Sequence, residues 1–204
     1  MPLADKYRPT RIEDVVGQKH IIGRGKLLNN MIEKAYFPNM IFFGPPGVGK
    51  TTVAEIIAAR ADKKVIASIG SLDAQNGILL YIDEIQIFNK KQQQSILEFI
   101  ENGQISLIAS TTENPYHYVY KAILSRSVVM EFKSISLDEI VKGLENIVNK
   151  YKENTNLDLV CDRDAYEAMA NASGGDMRSA TNILELAISE SRLDKDARAR
   201  IDMG

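Results

Sequence analysis

The sequence predicts an α/β fold: a three-layer domain built around a parallel sheet, followed by a small all-helical domain. Short apolar runs alternate with segments of helical periodicity as far as residue 133, which is typical of βα units around a parallel sheet. From residue 134 onward only helical periodicity remains. We therefore predict one domain at 1–133, a helical domain at 134–193 and a tail at 194–204 that is assigned to neither.

The order of elements follows from these periodicities. In the first domain we predict strands at 39–43, 78–83, 105–111 and 128–132, and helices at 20–35, 50–61, 90–102 and 117–124. In the second domain we predict helices at 137–152, 163–172 and 176–191. Gly174 and Gly175 separate the last two helices, and Asp176 is the predicted N-cap of the third.

The composition is that of an ordinary water-soluble protein. Of 204 residues 45% are apolar and 25% are charged, and the net charge is −2, so any contact with nucleic acid must come from local patches. No apolar stretch approaches the roughly 20 residues that span a bilayer, and the N-terminus lacks the apolar core of a signal peptide. The single cysteine, Cys161, cannot form an internal disulfide. We expect a cytoplasmic protein that makes no membrane contact.

A glycine-rich loop joins the first strand to the following helix and matches G-x-x-x-x-G-K-[ST] at every fixed position. A loop between a strand and a helix aims several backbone N–H groups at one point, with the positive end of the helix dipole behind them. We expect it to hold a nucleoside triphosphate, with Lys50 on the phosphates and the Thr51 hydroxyl on Mg²⁺. The alternative, an incidental Gly/Pro turn, does not explain the complete match. The residues of the loop are Gly44, Pro45, Pro46, Gly47, Val48, Gly49, Lys50, Thr51 and Thr52.

Two carboxylates follow the buried strand "ILLYI". Asp83 and Glu84 stand at its carboxyl end, the edge where open α/β sheets bind ligands. We expect Asp83 to hold the magnesium and Glu84 to orient and deprotonate an attacking water. An acidic N-cap after a strand is the alternative for this pair. The next strand ends in Thr111 and Thr112, which we expect close to the γ-phosphate.

Several of these segments together resemble a known family. "GPPGVGKT", "YIDE", "ASTTENP", "AILSRSVVMEF" and "GGDMR" resemble an AAA+ ATPase of the clamp-loader clade. More narrowly, "FNKKQQ" and "STTENP" resemble the replication-associated recombination protein A family, which has Werner-helicase-interacting relatives in eukaryotes. The resemblance extends over residues 3–190 and identifies the helical domain as the lid of a P-loop AAA+ domain.

The resemblance implies further site residues. Thr112, with Thr111 as second choice, corresponds to the sensor-1 position. Arg126 in "LSRS" corresponds to an arginine finger that acts on a neighbouring subunit's nucleotide, and Arg178 in "GGDMR" to sensor 2 in the lid. For Arg126 the alternative is a surface arginine paired with a nearby carboxylate. The segment that lines the adenine pocket corresponds to Arg8, Pro9, Val16 and Gln18.

The resemblance also implies the function. We expect an ATPase that binds ATP and Mg²⁺, is stimulated by assembly and DNA, and acts in replication-fork maintenance, recombination and repair. Its expected partners are DNA, with single-stranded gaps or ends favoured, replication proteins such as single-strand-binding protein, and copies of itself through a C-terminal domain. The expected location is the nucleoid. A clamp-loader subunit, a branch-migration motor and a nucleotide-gated interaction module with incidental turnover stay open as alternatives.

One interval departs from the expected pattern. Only 32 residues lie between Thr51 and Glu84, fewer than the family has. The segment 64–70 has the composition of a strand, yet only the seven residues 71–77 would then precede the strand at 78. Parallel neighbours need a crossover of about ten to twelve residues. We therefore interpret residues 65–72 as the end of a helix and infer that a segment is missing near Lys64–Val65.

Overall fold

The computed structural model describes residues 1–61, 64–66, 78–155, 159–193 and 199–201. The chain divides into two compact units. The sheet unit is Thr10–Lys133; the second unit combines Met1–Pro9, which contains helix α1 (Leu3–Lys6), with Ser134–Gly204. The division at residue 133 falls where the sequence pattern changes. The sequence pattern places the first nine residues in the sheet domain. In the structure they group with the second unit instead.

The sheet unit contains a five-stranded, fully parallel sheet of order β2-β3-β4-β1-β5. All carboxyl ends of its strands therefore lie at one edge. The central strands read as continuous apolar runs because helices cover both faces; Ile41, Leu107 and Ile108 are fully buried. The strands are β1 (Asn39–Phe43), β2 (Lys64–Ile66), β3 (Ile78–Ile82), β4 (Ile105–Thr111) and β5 (Ser127–Glu131).

The helices of the sheet unit confirm the predicted periodicities, with two corrections. The helix predicted at 20–35 is two helices, because Gly23 ends the first and Gly25 lies in the connection at φ +74°. The helix predicted at 117–124 is likewise two short ones that begin at Pro115 and Lys121. The helices are α2 (Lys19–Ile22), α3 (Leu27–Glu33), α4 (Lys50–Arg60), α5 (Lys90–Glu101), α6 (Pro115–Tyr118) and α7 (Lys121–Leu124), with 3₁₀ turns at Ile12–Asp14 and Ile85–Ile87.

Strand β2 corrects the interpretation of the short interval. Lys64, Val65 and Ile66 form a strand that pairs in parallel with Ile78, Leu79 and Leu80, so these residues are not the end of a helix. Consecutive residues pair with consecutive residues, and the strand is continuous at the point where a missing segment was inferred. Because the strand ends at Ile66, the whole of 67–77 is available for the crossover, which meets the length that parallel strands need. The remainder of the predicted helix end, residues 67–72, lies outside the described residues.

Among its described residues the second unit contains helix α1, three longer helices that pack against one another, and a small sheet. Asp176 caps the last helix, as predicted, by accepting from the Ser179 N–H at 2.9 Å. The prediction of an all-helical lid is wrong, since a three-stranded sheet of order β6-β8-β7 accompanies the helices and includes part of the unassigned tail. Strands of two or three residues are too short to show a period of two. The elements are α8 (Leu137–Thr155), β6 (Leu159–Cys161), α9 (Arg163–Ser173), α10 (Met177–Glu190), β7 (Arg192–Leu193) and β8 (Ala199–Ile201).

Across the described ranges, no helix combines the length and the apolar character that crossing a membrane requires.

Candidate nucleotide-binding site

The glycine-rich loop leaves β1 at Phe43 and enters α4 at Lys50. Gly44, Gly47 and Gly49 have backbone φ values of +143°, +65° and +101°, which residues other than glycine rarely adopt. A Cβ on Gly44 would lie 2.0 Å from the carbonyl oxygen of Phe132, and the Gly44 N–H donates to the carbonyl of Thr111 at 3.2 Å. Backbone at the carboxyl ends of the two neighbouring strands, β4 and β5, thus fixes the start of the loop, and glycine is required there.

Lys50 lies inside this loop. Its side chain is only 7% exposed, and its Nζ donates to the carbonyl oxygens of Gly44 at 2.6 Å and Pro45 at 2.7 Å. A buried ammonium held by loop carbonyls at a helix N-terminus is a strong local positive charge, placed where the loop N–H groups converge. The geometry fits the binding of an anion such as a triphosphate.

The side chain of Gln18 also holds the glycine-rich loop in place. Its side-chain amide donates to the carbonyls of Val48 at 3.3 Å and Lys133 at 2.7 Å, and its Oε1 accepts from the Lys133 N–H at 2.9 Å. The side chain is buried, and the residue has a φ of +56°. Gln18 therefore joins the loop to the segment that follows β5. This contact was not foreseen when the residue was assigned to the adenine pocket.

The other residues assigned to that pocket are divided between the units. Val16 is half-buried in the sheet unit. Arg8 and Pro9 belong to the second unit, where Arg8 pairs with Asp5 at 2.7 Å.

Near the end of β3 the phenol of Tyr81 lies within hydrogen-bonding distance of three side chains. The hydroxyl oxygen of Tyr81 lies 3.1 Å from Thr51 Oγ1, 3.2 Å from Asp83 Oδ1 and 3.3 Å from Ser110 Oγ. Ser110 also donates to Asp83 Oδ1 and is fully buried. Burial, above all, raises the pKa of Tyr81 to about 12, so the phenol keeps its proton at neutral and at mildly alkaline pH.

Sequence reasoning missed both Tyr81 and Ser110. A signal was present for each. Tyr81 precedes Asp83 by two residues, and alternate residues of a strand lie on one face. Ser110 comes directly before the two threonines that were assigned to the site.

Glu84 is surrounded by hydrogen-bond donors. Thr112 donates to Glu84 Oε2 from its N–H at 3.3 Å and from its hydroxyl at 3.2 Å, and the Gln86 side-chain amide donates to the same oxygen. The Glu84 N–H donates to Ser110 Oγ at 3.3 Å. Glu84 has a φ of +54°, unusual for a residue with a Cβ, which is typical of functional positions held by their surroundings.

The two threonines at the end of β4 differ in their surroundings. Thr111 is fully buried, and its hydroxyl accepts from the Glu113 N–H at 3.0 Å. Thr112 is exposed and contacts Glu84. Of the two, Thr112 is the residue that the structure brings to the Glu84 carboxylate.

The two arginines belong to different units. Arg126 precedes β5 and pairs with Glu101 at the end of α5 at 2.7 Å, with the two side chains 43% and 46% exposed. It also donates to the Ala122 carbonyl at 2.9 Å. The pairing that was named as the alternative for Arg126 is thus present in the single chain. Arg178 is exposed on α10, in the second unit.

The residues present fit a magnesium ion. Thr51 Oγ1 and Asp83 Oδ1 contact the same phenol oxygen and are therefore close neighbours. Hydroxyl and carboxylate oxygens are the ligands that Mg²⁺ prefers, and in nucleotide sites phosphates and water complete its shell. Within the described part of the chain no group of three or more His, Cys, Asp and Glu residues could hold a metal ion.

Fold and site together define the class of protein. A parallel sheet whose β1 runs through a glycine loop into α4, with an Asp–Glu pair at the end of β3, is the P-loop AAA+ fold. The chain belongs to the family described as the Holliday junction DNA helicase RuvB P-loop domain, whose model matches residues 7–119.

Curated relatives confirm the resemblance found in the sequence. The replication-associated recombination protein A of Bacillus subtilis is 33% identical over 99% of this chain and 51% of its own length. That of Haemophilus influenzae is 38% identical over 92% of this chain and 46% of its own. The ATPase WRNIP1 of Dictyostelium discoideum is 32% identical over 98% of this chain and 25% of its own. The chain therefore spans about half the length of the recombination proteins it matches.

Solved structures confirm the fold. The RuvB Holliday junction branch migration motor of Thermotoga maritima superposes with a TM-score of 0.74 at 22% identity, over 96% of this chain and 69% of that one.

Proposed function

We propose that this chain is the ATP-binding and ATP-hydrolysing part of a protein that acts on DNA in replication-fork maintenance, recombination and repair. The observation that carries the proposal is the gathering of Lys50, Thr51, Asp83 and Glu84 at one edge of the sheet. The first two residues suit a metal-bound triphosphate. Hydrolysis also needs a group that activates water, and the carboxylate pair supplies it through Glu84.

Binding of ATP begins at the loop. Its backbone N–H groups and Lys50 bind the phosphates, and Lys50 exchanges its contacts with the Gly44 and Pro45 carbonyls for phosphate oxygens. Thr51 and Asp83 hold Mg²⁺, which when bound neutralises part of the phosphate charge. Val16 and Gln18 form the adenine side within the sheet unit, where Gln18 acts by holding the loop in shape.

Hydrolysis is the work of Glu84 and Thr112. Glu84 orients a water and accepts its proton as the oxygen attacks the γ-phosphorus, and ADP is the leaving group. Thr112 lies against the same carboxylate, so a change in its position on arrival of the γ-phosphate is transmitted directly to Glu84.

Through Arg126, the rate of ATP hydrolysis depends on assembly of the oligomer. The exposed pair of Arg126 with Glu101 contributes about 0–1 kcal/mol, so the guanidinium can leave that partner at little cost. In a homo-oligomer of the full-length protein it reaches a neighbouring subunit's nucleotide. A guanidinium on the charge that develops during phosphoryl transfer accelerates turnover about a thousandfold or more.

The partner of the motor is DNA, with single-stranded gaps or ends favoured, together with replication proteins such as single-strand-binding protein. The names of the relatives support this choice, since they are recombination proteins associated with replication. Lys90 and Lys91 are exposed at the start of α5 and are candidate phosphate contacts. Such a protein works in the cytoplasm, on the nucleoid.

The ATPase rate of the full-length protein tests the proposal. We expect Mg²⁺-dependent release of phosphate that single-stranded or gapped DNA stimulates more than intact duplex, and that Lys50→Ala abolishes. The matched control is Lys150→Ala, an exposed lysine on α8 in the second unit. Absence of hydrolysis with every DNA would contradict the proposal.

A branch-migration motor is the second candidate, because the family model that matches residues 7–119 is that of RuvB. Greater stimulation by four-way junctions than by gapped DNA would favour it, whereas stimulation by a sliding clamp would indicate a clamp-loader subunit. A nucleotide-gated interaction module would keep its biological activity in Glu84→Gln, and a motor would lose it.

A further inference from the structure

We propose that Tyr81 is a positioning residue of the magnesium site, and that its phenol, together with Ser110, sets the orientation of Thr51 and Asp83. The inference deepens the proposed function and rests on it, because it takes these two residues as the magnesium ligands.

The chemistry of a phenol suits this position. It has one proton to donate and lone pairs to accept, and Tyr81 has both kinds of partner within 3.1 to 3.2 Å. Its proton goes to the Asp83 carboxylate, which can only accept. The Thr51 hydroxyl can then donate to the phenol oxygen. A hydroxyl that binds a cation through a lone pair must direct its proton elsewhere, and Tyr81 offers the acceptor.

Ser110 completes the arrangement beneath the phenol. It donates to the same Asp83 oxygen and accepts from the Glu84 N–H at 3.3 Å. Because Ser110 is fully buried, bulk water cannot replace these partners. One chain of hydrogen bonds thus runs from Thr51 through Tyr81 and Asp83 to Ser110 and the backbone of Glu84. Partners that orient metal ligands in this way are worth about 10- to 100-fold in metal affinity.

The contacts of the Tyr81 hydroxyl distinguish this role from simple hydrogen-bond satisfaction of a half-buried phenol. One acceptor would suffice for that purpose. The hydroxyl of Tyr81 instead lies within 3.3 Å of three side chains, two of which are the proposed ligands of one ion.

The test is the Mg²⁺ dependence of ATP binding by the full-length protein. For Tyr81→Phe we expect the Mg²⁺ concentration that gives half-maximal ATP affinity to rise about 10-fold or more. ATP affinity in saturating Mg²⁺ and the melting temperature stay close to wild type. Ser110→Ala shifts the Mg²⁺ midpoint in the same direction. The control is Tyr36→Phe, which removes the hydroxyl of a tyrosine that is 65% exposed in the same unit and leaves the midpoint unchanged.

Each outcome of this experiment supports or overturns the role of Tyr81. An unchanged Mg²⁺ midpoint in Tyr81→Phe, with wild type binding Mg-ATP normally, overturns the inference and leaves the proposed function standing. Loss of ATP affinity that excess Mg²⁺ does not restore also overturns it, because the phenol would then serve the fold or the nucleotide and not the cation. A wild-type protein that binds no ATP at any Mg²⁺ concentration overturns the proposed function and this inference with it.

Discussion

Thr112 donates twice to one oxygen of Glu84, from its backbone N–H at 3.3 Å and from its hydroxyl at 3.2 Å. Gln86 donates to that oxygen as well. Before this oxygen can take a proton from water, a protein donor must give way to the water. The same contacts that position the proposed base also occupy it.

Glu84→Gln should separate binding from chemistry. The amide keeps the size of the side chain but cannot take a proton, so turnover should fall about 100-fold or more while ATP affinity stays within a few fold. Single-turnover hydrolysis and equilibrium binding of ATP on the full-length protein measure the two effects. Near-normal turnover would remove Glu84 from the mechanism.

Gln86→Ala should raise turnover in the absence of DNA by several fold, because it removes one of the donors that occupy Glu84 Oε2. The matched control is Gln94→Ala on α5, whose amide contacts the Tyr120 hydroxyl at 3.2 Å and no carboxylate. Basal phosphate release without DNA is the measurement. A fall in basal turnover would instead mean that Gln86 holds Glu84 in its working position.

Arg126→Ala should leave ATP binding intact and abolish the part of the turnover that depends on assembly, by about a thousandfold at protein concentrations where the oligomer forms. Arg163→Ala serves as the control, since it removes an exposed arginine that pairs with Glu167 at 2.9 Å in the second unit. The ATPase rate as a function of protein concentration tests the prediction. If both variants kept the concentration dependence of wild type, Arg126 would be only a surface partner of Glu101.

Gly44→Ala should destabilise the fold by about 3 kcal/mol or more, because its Cβ would meet the Phe132 carbonyl at 2.0 Å and neither backbone can withdraw. Gly103→Ala is the control. It has a φ of +69° with nothing within 4 Å of the added Cβ, so only the backbone cost of about 1–2 kcal/mol applies. Denaturant unfolding compares the two. Equal losses of free energy would show that the loop backbone is not held as described.

Cys161 should be unreactive near neutral pH. Burial, above all, raises the pKa of its thiol to about 11, so at pH 8 its alkylation should be slower than that of an unfolded thiol on the order of a hundredfold. Because the folded state keeps this proton longer than the unfolded one, its contribution to stability is present below about pH 8.5 and is lost as the pH rises toward 11. Iodoacetamide labelling followed over pH 7–11 checks the first expectation. Fast labelling at pH 8 would contradict it.

The sequence was most informative where one motif fixes both chemistry and local geometry. The loop from Gly44 to Thr51 and the pair Asp83–Glu84 could be placed at one sheet edge because parallel strands bring their carboxyl ends together. Four of the five strands and the helices at Lys50 and Lys90 followed from apolar periodicity.

What the sequence could not supply depends on contacts between distant segments. The Tyr81 hydroxyl matters only because Thr51 and Ser110 come to it from other elements. Gln18 holds the loop through the backbone of Val48 and Lys133, which no spacing rule relates to it. Strand β2 was missed because its length was overestimated, which made the crossover look too short.

A structure of the full-length protein with Mg²⁺ and a non-hydrolysable ATP analogue tests the central claim most directly. We predict that Lys50 Nζ leaves the carbonyls of Gly44 and Pro45 for phosphate oxygens, with the cation between Thr51 and Asp83 and the γ-phosphate facing Glu84. A nucleotide whose phosphates lie away from Lys50, or a cation that neither Thr51 nor Asp83 approaches, would contradict the account.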